Sequence, residues 1–357
     1  MQNKSSTKEI LKFAGTYISV CIGSGFATGQ EIMQFFSAHG IVKSIFSSIV
    51  CMIIMCYSGA RLLEIGKSEK LKSSNDIFTY LWGNLIGDLF KILMPVFFLC
   101  SFVVMVSGAG TSINQYYGIE KNIGSLIMVV ISLISVLMGI NKVVDILGNI
   151  GPVIIMVSLG IGIITISRNY QNFIDTENLV ATLNVTRAVN SWHLTGIIYS
   201  GLNIIMVTPF LVSVGQTSTS NINCKWGGIL GGIAFMMACL VINLGILSDI
   251  ENICLNEIPT LYMADKIGPI IGILFSFILI AGIYTTAVPL LWSVCNSFAK
   301  EGTLKFNLIA LICSILAIIG GRIPFSALVN FIYPISGALG VIIIVGLFVK
   351  NIYIEYK

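Results

Sequence analysis

The sequence predicts an all-α integral membrane protein of ten transmembrane helices, arranged as two inverted five-helix repeats with helices 1 and 6 discontinuous. Three observations carry that reading. The 357-residue chain is 56% hydrophobic and 10% charged, with a mean hydropathy of +0.94, whereas soluble domains carry about 25% charged residues. Apolar stretches of spanning length recur on either side of a long polar stretch at 168–192. The first of them carries Gly23-Ser24-Gly25 at its centre and an ionisable residue, Glu31, further along. A helix broken at that depth is tolerated only where the freed backbone groups face protein, water or a ligand.

That first segment, 14–36, is long enough to cross a hydrocarbon layer of about 30 Å at about 1.5 Å per residue. Two glycines around a serine lower helix propensity where the segment should be most regular, which suggests two half-helices meeting at a buried site. An unbroken, closely packed helix is the alternative, because Gly15, Ser19 and Gly23, and likewise Gly25 and Gly29, fall four apart. Lys4, Lys8 and Lys12 precede the segment in the manner of a signal peptide. Its apolar character resumes beyond the glycines without an Ala-x-Ala pattern, so it is read as a retained span.

The remaining spans are expected at 41–63, 89–112, 123–138 and 143–166, then at 193–214, 226–247, 268–298, 306–319 and 325–349, with a short amphipathic piece at 77–82. The chain is thus read as one membrane domain, 1–357, with repeats over 10–166 and 193–349 joined by an extracytoplasmic loop, 167–192. Because five is odd, the second half enters the membrane opposite to the first, and any repeat between them is inverted, an architecture found in transporters. The sixth segment should then be broken too. It offers Tyr199-Ser200-Gly201-Leu202-Asn203 at mid-span, and Pro209 cannot donate to the carbonyl of Ile205. A proline-kinked helix with a packed serine is the alternative.

Fourteen of the 20 basic residues fall in loops and tails on one side if the N-terminus is cytoplasmic. That asymmetry places both termini in the cytoplasm and the protein in the cell membrane, in contact with lipid. Nucleic-acid binding has no footprint, since no dense basic cluster with interleaved aromatics occurs. The nine cysteines, mostly inside apolar segments, do not form a disulfide framework. His39 and His193 stand alone near segment ends, so no metal cluster is expected. Without a phosphate-binding glycine loop, paired carboxylates or a nucleophile constellation, neither an ATP-driven pump nor an enzyme is expected.

The run Ile22-Gly23-Ser24-Gly25-Phe26-Ala27-Thr28-Gly29-Gln30-Glu31-Ile32 resembles the YkvI-like family of bacterial membrane proteins. The ten-span plan resembles, more distantly, the LeuT-fold transporters of the amino acid-polyamine-organocation superfamily. The resemblance implies a core of two inverted repeats and, by analogy with sodium-coupled members, a cation site. Those members bind sodium between carbonyls at the first break and a hydroxyl pair in segment eight. Here the matching residues are the carbonyls of Ser19 and Ile22 and the hydroxyls of Thr285 and Thr286, within Ala281-Gly282-Ile283-Tyr284-Thr285-Thr286-Ala287. Pro289 frees the Thr285 carbonyl, and hard cations take such oxygens. Threonines bonded to their own helix are the alternative. Phe26 stands where a second sodium site would need asparagine.

The half-helix beginning near Phe26 would present free N–H groups to an anionic group, and Gly25 lets a ligand approach the backbone. Gly23, Ser24, Gly25 and Phe26 form one wall of the expected substrate site. Tyr199, Ser200, Gly201 and Asn203 form the other, with Ser107 and Thr111 as weaker members. Glu31 lies about 9 Å beyond Gly25 along a straight helix. A carboxylate at that depth can carry a coupling proton or gate access, a structural glutamate being the alternative. Lys142 and Asp145 read as a snorkelling pair at a helix end. At Asn330 and Tyr333, before Pro334, a kink and a site look alike.

The expectation is a secondary active transporter, driven by sodium or protons, for a small zwitterionic or anionic solute such as an amino acid. No cofactor is expected beyond the coupling ion. A ligand sensor of the germination-receptor kind, which binds a solute without concentrating it, is the alternative; a passive channel fits less well. The sequence leaves the oligomeric state undefined.

Overall fold

The structure, a computed structural model, describes residues 6–69, 71, 73, 76–139 and 150–355. Segment five before residue 150, with Lys142 and Asp145, lies outside the described residues. The described chain is helical, in the order α1 (Thr7–Cys21), α2 (Ser24–Thr28), α3 (Gln30–Phe35), α4 (Ile41–Glu69), α5 (Asp76–Tyr117), α6 (Lys121–Leu137), α7 (Ile150–Asn169), α8 (Thr176–Thr182), α9 (Trp192–Gly215), α10 (Asn221–Leu247), α11 (Ile250–Ile253), α12 (Pro259–Ile267), α13 (Pro269–Phe298), α14 (Leu304–Gly320) and α15 (Phe325–Glu355). Seven are long and apolar enough to cross a membrane, namely α4, α5, α7, α9, α10, α13 and α15. α6 and α14 are shorter apolar helices. The amphipathic piece at 77–82 is the start of α5, set off from the long apolar rod by Gly83 at φ +77°.

α4 lies against both α9 and α10, α15 against α9, α1 against α10, and α13 along α5. Small residues set these crossings. A Cβ at Gly201 would meet the main chain of Gly337 and Val341, and one at Gly340 would meet the main chain of Gly201. Here α9 and α15 touch backbone to backbone, which larger side chains would forbid. Large apolar side chains such as Leu85, Ile92, Ile270 and Phe331 point outward, as expected of helices solvated by lipid.

The expected break in segment six is absent. α9 runs as one helix through Tyr199–Asn203 and past Pro209. Its polar side chains turn back on their own turns: Ser200 Oγ donates to the Ile197 carbonyl at 2.7 Å, Asn203 Nδ2 to Tyr199 at 2.9 Å, and Thr208 Oγ1 to Ile204 at 2.6 Å. Side chains satisfied within the helix remove the need for a local break.

Candidate functional site

The first segment does separate at its glycines. α1 ends at Cys21, Ile22 leaves helical geometry at ψ 88°, and Gly23 is extended before Ser24 opens α2. The Gly23 N–H goes to Cys21 rather than to the Ser19 carbonyl. Among the described residues, the Ser19 and Ile22 carbonyls accept no main-chain hydrogen bond.

A second bend follows at Gly29, whose φ of +75° divides α2 from α3. Glycine tolerates this left-handed conformation without a Cβ penalty. Thr260 of α12 donates to the Ala27 carbonyl at 2.5 Å and holds the bend. The bend brings Glu31 back instead of away. Its carboxyl group fills the space where a Gly25 side chain would stand, with Tyr333 of α15 on the same notch. The 9 Å offset expected for a straight helix does not hold for the carboxylate, because the positive φ at Gly29 bends the chain a second time.

Glu31 Oε1 accepts a hydrogen bond of 2.7 Å from the Tyr199 hydroxyl. Tyr199 is fully buried and packs against Phe36, Phe35 and Phe235, with ring centroids 4.9, 5.2 and 6.5 Å away. Phe26 lies 5.9 Å from Phe235, and Cys239 Sγ is 3.7 Å from the Tyr199 oxygen. The structure thus brings together Gly25, Phe26, Glu31 and Tyr199. Ser200 and Asn203 spend hydrogen bonds on their own helix, and Gly201 faces α15.

α13 passes beside the break: the Thr286 methyl lies 3.8 Å from where a Gly23 Cβ would stand. Thr285 and Thr286 hydroxyls donate to the Gly282 carbonyl at 2.8 and 3.2 Å. Ser19 Oγ likewise donates to Gly15 at 2.8 Å. A hydroxyl that has given away its proton keeps lone pairs for a cation. The donor chemistry of the two threonines and the two unused carbonyls therefore fits a small hard cation. Of the weaker members, Ser107 donates to the Ile323 carbonyl at 2.9 Å, while the buried Thr111 hydroxyl has no partner among the described residues.

Hydrogen bonds tie the first segment to its neighbours on either side of the break. On one side Glu9 accepts hydrogen bonds from Ser218, Asn223 and, twice, Thr219, while the Ser6 N–H donates to Asn223. On the other, the stretch before α9 crosses the end of α3. Ala188 N–H donates to the Gln34 carbonyl, Arg187 to Ala38, and Asn330 to Arg187, at 3.1, 3.0 and 2.8 Å.

Sequence reasoning missed two residues. Thr260 sits in a connecting stretch with no local signal. Asn243 links Ser37 and Ser44 at 2.8 and 2.9 Å and was findable as a lone amide in an apolar segment. Tyr333, where a kink and a site look alike in the sequence, stands with the Glu31 carboxyl at the Gly25 notch.

No family model matches the chain. Two curated proteins of Bacillus subtilis (strain 168) do. The uncharacterized membrane protein YkvI is 26% identical over 352 residues, 98% of this chain and 97% of YkvI. The uncharacterized protein YyaD is 24% identical over 338 residues, 94% and 95% of the two chains. Among solved structures, MhsT in complex with L-phenylalanine matches with a TM-score of 0.62 at 12% identity, over 96% of this chain and 89% of that one. The manganese transporter of Eremococcus coleocola matches with a TM-score of 0.56 at 14% identity, over 94% and 77%. The chain shares its fold with these solved structures. The sequence is thus YkvI-like over nearly its whole length, and the fold, expected from the ten-span plan to be LeuT-like, is shared with MhsT and with a manganese transporter.

Proposed function

We propose that the chain is a secondary active transporter of a small solute, with its site at the break between α1 and α2. The observation that carries the reading is the break itself, lined by Gly25, Glu31 and Tyr199, in a segment tied to its neighbours on either side. In this reading α1 to α3 together form one span, and with α4 to α7, α9, α10 and α13 to α15 they give ten spans as two inverted repeats. Alternating access follows if the Glu9 tie and the Gln34–Arg187–Asn330 tie release in turn. The cargo is a small solute bearing an ammonium group, of which a zwitterionic amino acid is one form. A purely anionic cargo fits less well than the sequence suggested, since the Glu31 carboxyl already occupies the Gly25 notch.

Coupling has two candidates, a proton on Glu31 and sodium at the carbonyls of Ser19 and Ile22 with the hydroxyls of Thr285 and Thr286. A bound sodium would supply positive charge beside the end of α1, where the helix dipole is negative. A site-bound ion stabilises the fold by mass action even when the solute is unknown. The thermal midpoint of the purified protein is expected to rise in sodium relative to potassium, and Thr285→Ala to remove the difference. Equal midpoints in the two salts would remove sodium and leave the proton. Proteoliposomes loaded with an amino-acid mixture and tested for gradient-driven counterflow address transport itself: flux supports the reading, and its absence under both sodium and pH gradients sinks it.

A further inference from the structure

Glu31 is a carboxylate without a cation beside it. It is 6% exposed and bonded to the Tyr199 hydroxyl. The titratable groups that face it are Tyr199 of α9, Cys21 of α1 and Cys239 of α10, with Tyr333 of α15 across the Gly25 notch. None of these is positively charged at neutral pH. Among the described residues the ion pairs are Arg61 with Glu64 and Lys91 with Asp88, and neither includes Glu31.

A buried charge lacking a counter-ion is costly, so the closed form needs the Glu31 charge cancelled. A proton can do this. So can a cationic group of the cargo, and the surroundings select which kind. Calcium and magnesium want six or more oxygen ligands, whereas the side-chain oxygens shown at Glu31 are its own carboxyl group and the Tyr199 hydroxyl, and no group of three or more His, Cys, Asp or Glu side chains that could hold a metal occurs among the described residues. An ammonium group needs fewer. It donates to the carboxylate, and the aromatic faces of Tyr199, Phe26 and Phe235 suit a partly desolvated cation. A second carboxylate would be repelled.

We propose that Glu31 binds the ammonium group of a small organic cation in competition with a proton. Binding replaces the O–H bond of the Glu31 carboxylic acid by an ion pair: the acid and R–NH3+ give carboxylate···+H3N–R, and one proton leaves to water. Where the transporter reading above holds, on which this consequence rests, the protein exchanges one proton for one ammonium-bearing solute, because the closed form is accessible with either and not with neither.

The test is calorimetric titration of the purified wild-type protein with primary ammonium ions, methyl- through hexylammonium, in two buffers of different ionisation enthalpy. At acid pH about one proton should be released per cation bound, and the Kd should tighten about tenfold per pH unit until Glu31 is ionised, then level off. Glu31→Gln should abolish binding and proton release, while Tyr199→Phe should keep the proton release and weaken binding. The wild-type proton count needs no variant, so a misfolded Glu31→Gln does not rescue the idea. Binding without proton release, tighter binding of the matching carboxylates, or no binding by any ammonium ion overturns it. Proton-linked binding with no flux in proteoliposomes would uphold the Glu31 site and overturn the transporter reading; flux of carboxylates alone would do the reverse.

Discussion

The first segment and α9 meet at one site with similar means and opposite outcomes. Each has a glycine and polar residues at mid-span, yet the first breaks at Gly23 and bends again at Gly29, while α9 runs unbroken past a proline. The difference lies in where the polar groups find partners. Ser200, Asn203 and Thr208 bond to carbonyls of their own helix. Glu31 reaches Tyr199 on another helix, and the bend at Gly29 is held by Thr260 from a third. Polarity within a span therefore does not by itself break a helix. The glycines differ in the same way. Gly201 serves close packing of backbones, whereas Gly25 makes room for the Glu31 carboxyl group.

The contrast can be broken most forcefully at Gly201. Its neighbours are main-chain atoms of Gly337 and Val341 that have nowhere to go, so Gly201→Leu should destabilise the protein by about 3 kcal/mol, read as a lost or strongly lowered unfolding midpoint. At Gly25 the obstacle is a side chain that can swing aside. Gly25→Ala should cost about 1–2 kcal/mol, and combining it with Glu31→Ala should recover about 1 kcal/mol of the summed single effects. Additive losses in that double-mutant cycle would mean that Glu31 does not occupy the notch.

The smallest effect is expected at Glu9, before the apolar part of α1 and outside the span. Partial burial pushes its carboxyl up, but hydrogen bonds from Thr219, Ser218 and Asn223 outweigh this and hold it below the ordinary glutamate value of 4.5. With a folded value below the unfolded one, its contribution is fully present above the unfolded value and is lost as pH falls through the folded value. The thermal midpoint of the wild type should thus drop below about pH 4.5 more than that of Glu9→Gln. Equal slopes would show that the tie adds nothing to the closed form.

Much of the architecture was legible because lipid imposes it. Among the described residues helices lie along the apolar runs, since a hydrocarbon layer demands long apolar runs with internally satisfied backbones, and the amphipathic start of α5 and the break at Gly23 were visible as departures from such runs. The continuity of α9 was not legible. Tyr199-Ser200-Gly201-Leu202-Asn203 reads alike whether its side chains serve a ligand or their own carbonyls, and the choice depends on α15 packing flush against Gly201.

By itself, then, the sequence determined the membrane-helical class, the apolar segments and the weak point of the first one, properties set by composition and by the local propensities of glycine and proline. The tertiary structure alone decided that Glu31 folds back onto Gly25 to meet Tyr199, that Tyr333 and Thr260 join it, and that Glu9 and Gln34 tie the first segment to α10 and to the stretch before α9. Apart from the return of Glu31 onto Gly25, set by a positive φ at Gly29, each of these is a contact between residues far apart in the chain, fixed by how closely neighbouring helices approach, and no local run of residues carries that information.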